Sequence, residues 1–226
     1  FFDIARILRD KTPRLVVLEN VKGLLSHDKG ATFQTILGVL ADLGYDCQWQ
    51  VLNSKNFGVP QNRERVFIVG HLRGTSRPKV FPIRESTTET NQTNFIDGHG
   101  ETKVATAIDA NYHKGHGQRG NSRGRTLVQL NKPKHSNDRV YSDKGISPTL
   151  NTMQGGNRQP FIKDEVKIRR LTPKECERLQ GFPDGWTAKG INEKEEVDIS
   201  DTQRYKMCGN AVTTNVIKEI FNKLDI

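Results

Sequence analysis

The sequence predicts an α/β fold in which a small, loop-rich segment of β type is inserted. The run Leu15–Leu18 is wholly apolar, which is typical of a strand buried on both faces of a parallel sheet. Apolar residues then recur at helical spacing from Phe33 to Leu43, which predicts an amphipathic helix ending at Gly44. Val66–Val69 is a second buried run. Strand, helix and strand in this order indicate an α/β layout.

Two more elements complete the first part of the chain. Apolar residues at helical spacing in Phe1–Leu8 predict an opening helix that ends before Pro13. Trp49 and Val51 predict a strand between the amphipathic helix and Val66–Val69. Because only a short loop separates these last two strands, we expect the third strand to run antiparallel at the sheet edge.

The composition changes near Pro78, and up to about Asp164 the chain is rich in Gly, Asn, Thr, Lys and Arg. Six positive charges and no acidic residue lie between Asp109 and Asp138. This predicts a separate basic lobe with short strands, although a flexible solvated insertion has the same composition. We therefore divide the chain into residues 1–77, 78–164 and 165–226, with the last part returning to the first.

Regular structure returns after the lobe. Thr172–Glu175 has the spacing of a capping box with Pro at the first helical position, and Gly181 follows the predicted helix. Apolar residues from Val216 to Leu224 predict a last helix, which Thr213 or Thr214 can cap.

Charge and cysteine content narrow the function classes. Among 226 residues, 35 are Lys or Arg and 26 are Asp or Glu, a net charge of +9 that favours a polyanionic partner. No apolar run reaches the roughly 20 residues of a membrane span. The three cysteines, Cys47, Cys176 and Cys208, form no disulfide or zinc pattern. We expect no metal and a reducing compartment. The chain opens at Phe1, so we expect it to begin inside a longer protein.

Glu19 and Asn20 directly follow the predicted strand Leu15–Leu18. In open α/β sheets, ligands bind beyond the carboxyl ends of strands, so Glu19 is a candidate catalytic group. A carboxyl group in a poorly solvated pocket can stay protonated and donate a proton. The alternative is an ordinary solvated glutamate at a strand end.

Gln61, Arg63 and Arg65 alternate ahead of Val66–Val69, so period two predicts that their side chains share one face. Two adjacent guanidinium groups repel unless an anion or acceptor joins them, and a phosphate or a base carbonyl would do so. The alternative is a pair of exposed arginines on an edge strand.

Gly209 and Asn210 precede the last predicted helix. A Gly-Asn turn at a helix N-terminus presents free N–H groups to a ligand, although an ordinary helix cap has the same sequence.

Four segments in order resemble the motifs of the DNA cytosine-C5 methyltransferases. Residues 18–23 resemble the Glu-Asn-Val motif, and residues 56–65 the Gln-x-Arg-x-Arg motif. Residues 170–183 and Gly209–Val212 resemble the last two motifs of the family. The resemblance implies a partial Rossmann-like methyltransferase sheet, with residues 78–164 as an inserted target-recognition domain.

The resemblance also implies roles. Family members flip a cytosine out of duplex DNA, a cysteine attacks C6, and C5 takes a methyl group from S-adenosylmethionine. Loss of the C5 proton and elimination of the cysteine thiol complete the reaction. Glu19 matches the glutamate that binds N3 and the amino group of the base, and Arg65 matches the arginine that contacts O2. Arg63 is implied as a further catalytic residue, and Gln61 and Asn20 as support for the base pocket. Asn210 and Ala211 match positions that line the cofactor pocket.

The basic lobe is implied to read DNA. We select Arg119, Arg123 and Arg158 as candidate DNA contacts, because Arg–guanine pairing is the commonest specific contact. A DNA-associated cytoplasmic protein of bacterial or phage origin, in a restriction–modification setting, is implied.

Two family motifs are missing. No cysteine follows a proline, and the Phe-x-Gly-x-Gly loop of the cofactor fold is absent. We therefore expect no nucleophile in this chain, no activity of the chain alone, and a complementary segment or chain that carries the missing motifs. The alternative is a non-catalytic DNA-binding half, or a split subunit that requires a partner chain. Charge alone would also permit an RNA-binding protein.

Overall fold

The computed structural model describes residues 1–84, 95–96, 102–103, 128–135, 138–152, 159–163, 167–192 and 195–224. The chain forms two compact units. Unit 1 comprises Phe1–Asn53, Glu64–Ser86 and Val216–Ile226, and unit 2 comprises Ser54–Arg63 and Thr87–Asn215. These bounds follow contacts within the chain, so the functional division into residues 1–77, 78–164 and 165–226 stays a prediction.

Unit 1 contains two helices and a three-stranded sheet. They are α1 (Phe2–Lys11), β1 (Leu15–Val21), α2 (Ala31–Asp42), β2 (Tyr45–Asn53) and β3 (Glu64–Leu72). The helices and strands predicted for this part of the sequence are thereby confirmed. A buried cluster that includes Leu8, Phe33, Ile36 and Leu40 packs the helices against the sheet.

The strand order differs from the prediction. Among the described strands of unit 1 the order is β1-β3-β2, and β3 is antiparallel to both neighbours. The predicted antiparallel direction is confirmed, but the predicted edge position is wrong, because β3 lies in the middle. Leu15–Leu18 is also less buried than predicted, with only Val16 buried, because the described residues give β1 a neighbour on one edge alone.

Unit 2 consists of short elements. Its strands are β4 (Phe95–Ile96), β5 (Thr102–Lys103), β6 (Val140–Ser142), β7 (Phe161–Lys163), β8 (Ile168–Arg170), β9 (Lys189–Asn192) and β10 (Glu195–Asp198). Its helices are α3 (Pro173–Leu179) and α4 (Asp201–Asn210), and α5 (Thr214–Phe221) begins in this unit and continues in unit 1. The strands within residues 78–164, β4 to β7, have two or three residues each, which agrees with the β-type, loop-rich segment predicted there.

The capping box predicted for α3 is present. The Thr172 hydroxyl accepts a hydrogen bond from the Glu175 amide, and the Glu175 carboxylate accepts one from the Thr172 amide. Leu179 and Cys176 on the inner face of α3 pack with Cys208 of α4 in a buried cluster. None of the helices within the described ranges is long and apolar enough to cross a membrane.

Candidate functional site

Glu19 and Arg65 form an ion pair across β1 and β3 in unit 1. The strand register places Glu19 opposite Phe67 and Arg65 opposite Val21, so the two side chains are diagonal neighbours. Arg65 Nε lies 2.9 Å from Glu19 Oε1, and the two side chains are 15% and 25% exposed. The structure therefore brings together two of the residues that the sequence selected, in a partly buried position.

The location of Glu19 corrects one step of the sequence argument. The predicted strand ended at Leu18, whereas β1 continues to Val21 and includes Glu19 and Asn20. Glu19 is held by strand pairing with β3 rather than by a loop beyond the strand. Its backbone position is consequently fixed by the sheet.

Burial is the main influence on Arg65. It lowers the pKa of Arg65 below its ordinary value, and the neighbouring Glu19 carboxylate offsets part of this effect. An arginine stays charged at neutral pH despite such a shift. Arg65 Nη1 also donates to the Glu64 carbonyl at 2.8 Å, which orients the planar guanidinium next to the carboxylate.

Asn20 and the Lys22–Glu64 ion pair lie close to Glu19 and Arg65 but are more exposed to solvent. Asn20 is exposed, and its side-chain Oδ1 accepts a hydrogen bond from the Val21 amide at 2.8 Å. Lys22 Nζ lies 3.0 Å from Glu64 Oε1, but these side chains are 56% and 42% exposed. The Lys22–Glu64 pair is thus a solvated ion pair near the end of the same two strands.

Arg63 belongs to unit 2 and is buried among backbone carbonyls. Its Nη1 donates to the Leu150 carbonyl at 3.1 Å. Its Nη2 donates to the carbonyls of Gly209 and Ala211 at 3.1 and 2.9 Å. An acceptor for this guanidinium was predicted, but it is neither a phosphate nor a base carbonyl: carbonyls of the chain itself accept hydrogen bonds from Arg63.

Gln61 has a similar structural environment in unit 2. It is fully buried, its Nε2 donates to the Leu179 carbonyl at 2.8 Å, and its Oε1 accepts from the Leu150 amide at 3.2 Å. Because β3 begins only at Glu64, Gln61 and Arg63 precede the strand, and strand alternation applies only to Arg65. Gln61 and Arg63 nevertheless both bond the backbone of Leu150. The described contacts of Gln61 and Arg63 position other parts of unit 2.

Asn210 and Ala211 lie at the end of α4 and, as predicted, precede the last helix, α5, which begins at Thr214. Asn210 is the last residue of α4, and the Ala211 amide donates to the Met207 carbonyl at 2.9 Å. The predicted free N–H groups of a Gly-Asn turn are therefore wrong at Ala211. The signal for α4 was weak, because its exposed polar sequence has no continuous apolar face. Asn210 itself is exposed.

The three cysteines are free thiols. Burial raises the pKa of Cys47 and of Cys208 to about 11, and it also raises the pKa of Cys176. The thiolate is the nucleophilic form of cysteine, so all three side chains are poorly suited to attack a base. They act as small packing groups, as the sequence predicted for Cys47 and Cys176.

Buried polar residues of α3 were not found by sequence reasoning. Glu177 is fully buried and accepts hydrogen bonds from the amides of Gly185 and Thr187, and Arg204 Nη2 lies 3.1 Å away. Gln180 is fully buried as well. Glu177 and Gln180 are three residues apart and adjacent to the apolar Cys176 and Leu179, and this spacing was the signal in the sequence that both polar side chains lie on the inner face.

The candidate DNA contacts Arg119, Arg123 and Arg158 lie outside the described residues.

At the C-terminal end of α4, Asn210 has the hydrogen-bonding groups that a contact with S-adenosylmethionine requires. The Asn210 side-chain amide is exposed and offers both a donor and an acceptor, which suits hydroxyl and amino-acid groups. The Ala211 amide does not fit, because it is already bonded within the helix end. Within the described residues, Asn210 is accordingly the candidate we retain for the cofactor.

Comparison with known proteins identifies the class of this chain. The family model for C-5 cytosine-specific DNA methylases matches residues 1–225. The chain belongs to this family, and the predicted resemblance is confirmed. Members of the family use S-adenosylmethionine as methyl donor.

Curated relatives agree with this assignment. The type II methyltransferase M.DsaV of Dactylococcopsis salina is 34% identical over 232 residues, covering 99% of this chain and 60% of the relative. M.SsoII of Shigella sonnei is 36% identical, covering 99% of this chain and 56% of the relative. M.HpaII of Haemophilus parainfluenzae is 36% identical, covering 99% of this chain and 64% of the relative. The chain thus spans between 56% and 64% of the length of these three relatives.

Solved structures support the fold. The Dnmt2 methyltransferase of S. pombe superposes with a TM-score of 0.59 at 18% identity, covering 98% of this chain and 68% of that structure. The methyltransferase EhMeth of Entamoeba histolytica gives a TM-score of 0.51 at 14% identity, covering 99% of this chain and 69% of that structure. The predicted Rossmann-like methyltransferase fold class is confirmed.

Proposed function

We propose that the protein containing this chain transfers a methyl group from S-adenosylmethionine to C5 of a flipped cytosine in duplex DNA. The observation that carries the proposal is the partly buried Glu19–Arg65 pair, with 2.9 Å between Arg65 Nε and Glu19 Oε1. Relatives named as type II methyltransferases support the same reaction class.

The chemistry of the pair matches one edge of a cytosine. The carboxyl group of Glu19 can hydrogen-bond N3 and the exocyclic amino group, and the guanidinium of Arg65 can donate to O2. A protonated or strongly hydrogen-bonded N3 withdraws electron density from the ring, which favours addition at C6. Glu19 and Arg65 would thus stabilise the charge that develops on the ring during the reaction.

The remaining residues have supporting roles in this proposal. Asn210 would contact S-adenosylmethionine, which supplies the methyl group when bound. Arg63 and Gln61 would act by holding unit 2 rather than by touching the base, because their described partners are chain atoms. Arg119, Arg123 and Arg158 would contact bases or phosphates. The nucleophilic cysteine would come from a segment or partner chain outside this sequence.

Methyl transfer from labelled S-adenosylmethionine to mixed-sequence duplex DNA tests the proposal. The chain is assayed alone and together with a fragment that supplies the missing motifs. Activity only with the complement supports the proposal. A duplex in which every cytosine already carries a C5 methyl group is the control, and it should accept no label. Methyl transfer to this methylated duplex would show that the methyl group goes to an atom other than C5 of cytosine.

The same assay separates the alternative of a non-catalytic DNA-binding half. DNA binding without turnover in the presence of the complement would favour that alternative. Preference for RNA over duplex DNA would overturn both the proposed DNA methyltransferase activity and the alternative of a DNA-binding half. Activity of the chain alone would show that it contains a nucleophile after all, and Cys208 would be examined first.

A further inference from the structure

Gln180 holds both ends of the segment that contains Asn210, residues 208–214, which we call the Asn210 segment. Gln180 Nε2 donates to the Cys208 carbonyl at 2.7 Å, before Asn210. Gln180 Oε1 accepts from the Thr213 hydroxyl at 2.9 Å, after Asn210. The Gln180 carbonyl also accepts from the Thr214 amide at 3.0 Å. The buried Gln180 thus forms hydrogen bonds to the chain both before and after Asn210.

The orientation of the Gln180 amide is determined by its partners. A carbonyl oxygen can only accept a hydrogen bond, so the atom facing Cys208 has to be the nitrogen. The Thr213 hydroxyl then donates to the oxygen, and it shares a second hydrogen bond with the Ser54 hydroxyl at 2.8 Å. Both polar ends of the side chain are used, which specifies a single arrangement.

The Arg63 side chain and a close approach of two backbone segments also hold the Asn210 segment in place. Arg63 Nη2 holds the carbonyls of Gly209 and Ala211 at 3.1 and 2.9 Å. A Cβ atom at Gly209 would lie 2.1 Å from the Asn151 carbonyl oxygen, so the backbones are in close approach. Within this tightly held segment the Asn210 side chain remains exposed.

We propose that Gln180 is a positioning residue for the cofactor contact, acting through the Asn210 segment. This inference rests on the proposed function. A segment that is ordered before the cofactor arrives loses less conformational entropy on binding. Loss of the Gln180 hydrogen bonds therefore weakens cofactor binding and leaves the chemical step on the bound cofactor largely unchanged.

The test uses the full protein that contains this chain. Gln180→Met keeps the length of the side chain and removes its two side-chain hydrogen bonds, while the backbone bond to the Thr214 amide is retained. We expect the Kd for S-adenosylhomocysteine, measured by calorimetry, to rise about tenfold or more, and kcat at saturating cofactor to stay within about twofold. Hydrogen exchange in cofactor-free protein should become faster at the Thr214 amide.

Two control variants separate positioning from general loss of stability. Gln203→Met makes the same chemical change on the exposed face of α4 and should leave the Kd unaltered. Tyr205→Phe removes a hydrogen bond from α4 to the Leu171 carbonyl, neither atom of which belongs to the Asn210 segment, and keeps the ring that packs beside Cys208. If Tyr205→Phe weakens cofactor binding as much as Gln180→Met at equal Tm, Gln180 has only a structural role and the inference is overturned.

A second pair of variants covers the case in which Gln180→Met does not fold. Thr213→Val removes the hydroxyl that bonds Gln180, and Thr213→Ser retains it. Weaker cofactor binding by the valine variant, with recovery in the serine variant, supports the inference. Equal affinity of both variants and the wild type overturns it. Absence of methyl transfer by the wild type would instead contradict the proposed function, so the two failures are distinguishable.

Discussion

Arg65 lies on β3 diagonally opposite Glu19 on β1, and the 2.9 Å ion pair between them is 15% and 25% exposed. The exposed pair of Lys22 and Glu64 is 56% and 42% accessible near the end of the same strands. An exposed pair gains little from its charges, because water screens them. The contrast makes Glu19 and Arg65 the better placed groups for chemistry and gives a matched control on the same sheet.

Glu19→Gln should lower kcat in the full protein by a factor of about 10² to 10⁴, because an amide cannot supply the proton or charge of a carboxyl group. Stability should fall by about 1–3 kcal/mol, because the mostly buried guanidinium of Arg65 loses its charged partner. Methyl-transfer rates and urea unfolding measure the two effects. Glu64→Gln is the control and should leave both nearly unchanged. Equal rates for Glu19→Gln and wild type would remove Glu19 from the mechanism.

Arg63→Met should act in the opposite way, mainly on stability. It removes hydrogen bonds to three backbone carbonyls, those of Leu150, Gly209 and Ala211. Hydrogen bonds from charged groups contribute about 1.5–3 kcal/mol each, so we expect a loss of at least about 3 kcal/mol in urea unfolding. Arg65→Met serves for comparison and should lower kcat with a smaller loss of stability. A stable Arg63→Met protein with normal Tm would contradict this assignment.

The sequence predicted elements with clear periodicity and missed those without it. The amphipathic pattern from Phe33 to Leu43 and the capping box at Thr172 gave α2 and α3 correctly. Helix α4 was missed, because its inner contacts are made by Cys208, Tyr205 and Arg204 rather than by an apolar stripe.

Candidate site residues show the same limit. Glu19 and Arg65, which the motifs matched to contacts with one base, are neighbours in the structure, whereas Gln61 and Arg63 precede the strand to which they were predicted to lead on one face. Period two applies only inside a strand, and the start of β3 at Glu64 depends on pairing with a distant segment, Asn53. Long-range backbone partners, such as the carbonyls around Arg63, leave no local signal in a sequence.

Gly209→Ala should disrupt unit 2, because the added Cβ would lie 2.1 Å from the Asn151 carbonyl oxygen and the backbone has to move. We expect a loss of about 2 kcal/mol or more and weaker cofactor binding. Gly38→Ala in α2 is the control, since nothing lies within 4 Å of the added atom. That variant should gain about 0.5–1 kcal/mol from helix propensity. Unfolding curves that shift equally for both would contradict the close approach.

Glu177 should make the protein sensitive to acid. Burial is the largest influence and raises its pKa, but hydrogen bonds from Thr187, Arg204 and Gly185 outweigh it and hold the pKa of Glu177 below its ordinary value. The folded state then binds fewer protons than the unfolded state. The resulting stability is present above the unfolded pKa, about 4.3, and is lost as the pH falls through the folded pKa.

Glu177→Gln should therefore cost about 3 kcal/mol at pH 7 and flatten the dependence of stability on pH below about 5. Urea unfolding at a series of pH values measures both quantities. Glu196→Gln on the exposed strand β10 is the control and should leave the pH profile unchanged. A variant that keeps the acid-side slope of the wild type would show that another carboxylate is responsible.

Cys208→Ala should preserve methyl transfer by the full protein within a few fold. Burial raises the pKa of the Cys208 thiol to about 11, so the nucleophilic thiolate is scarce at neutral pH. Iodoacetamide should accordingly label Cys208 slowly in the native protein and quickly after unfolding in urea, which peptide mass spectrometry can follow. Cys176→Ala, in the same buried cluster, is the matched control for the small cavity that both substitutions create. Loss of activity in Cys208→Ala alone, with an unchanged Tm, would place the nucleophile at Cys208 and contradict its origin outside this chain.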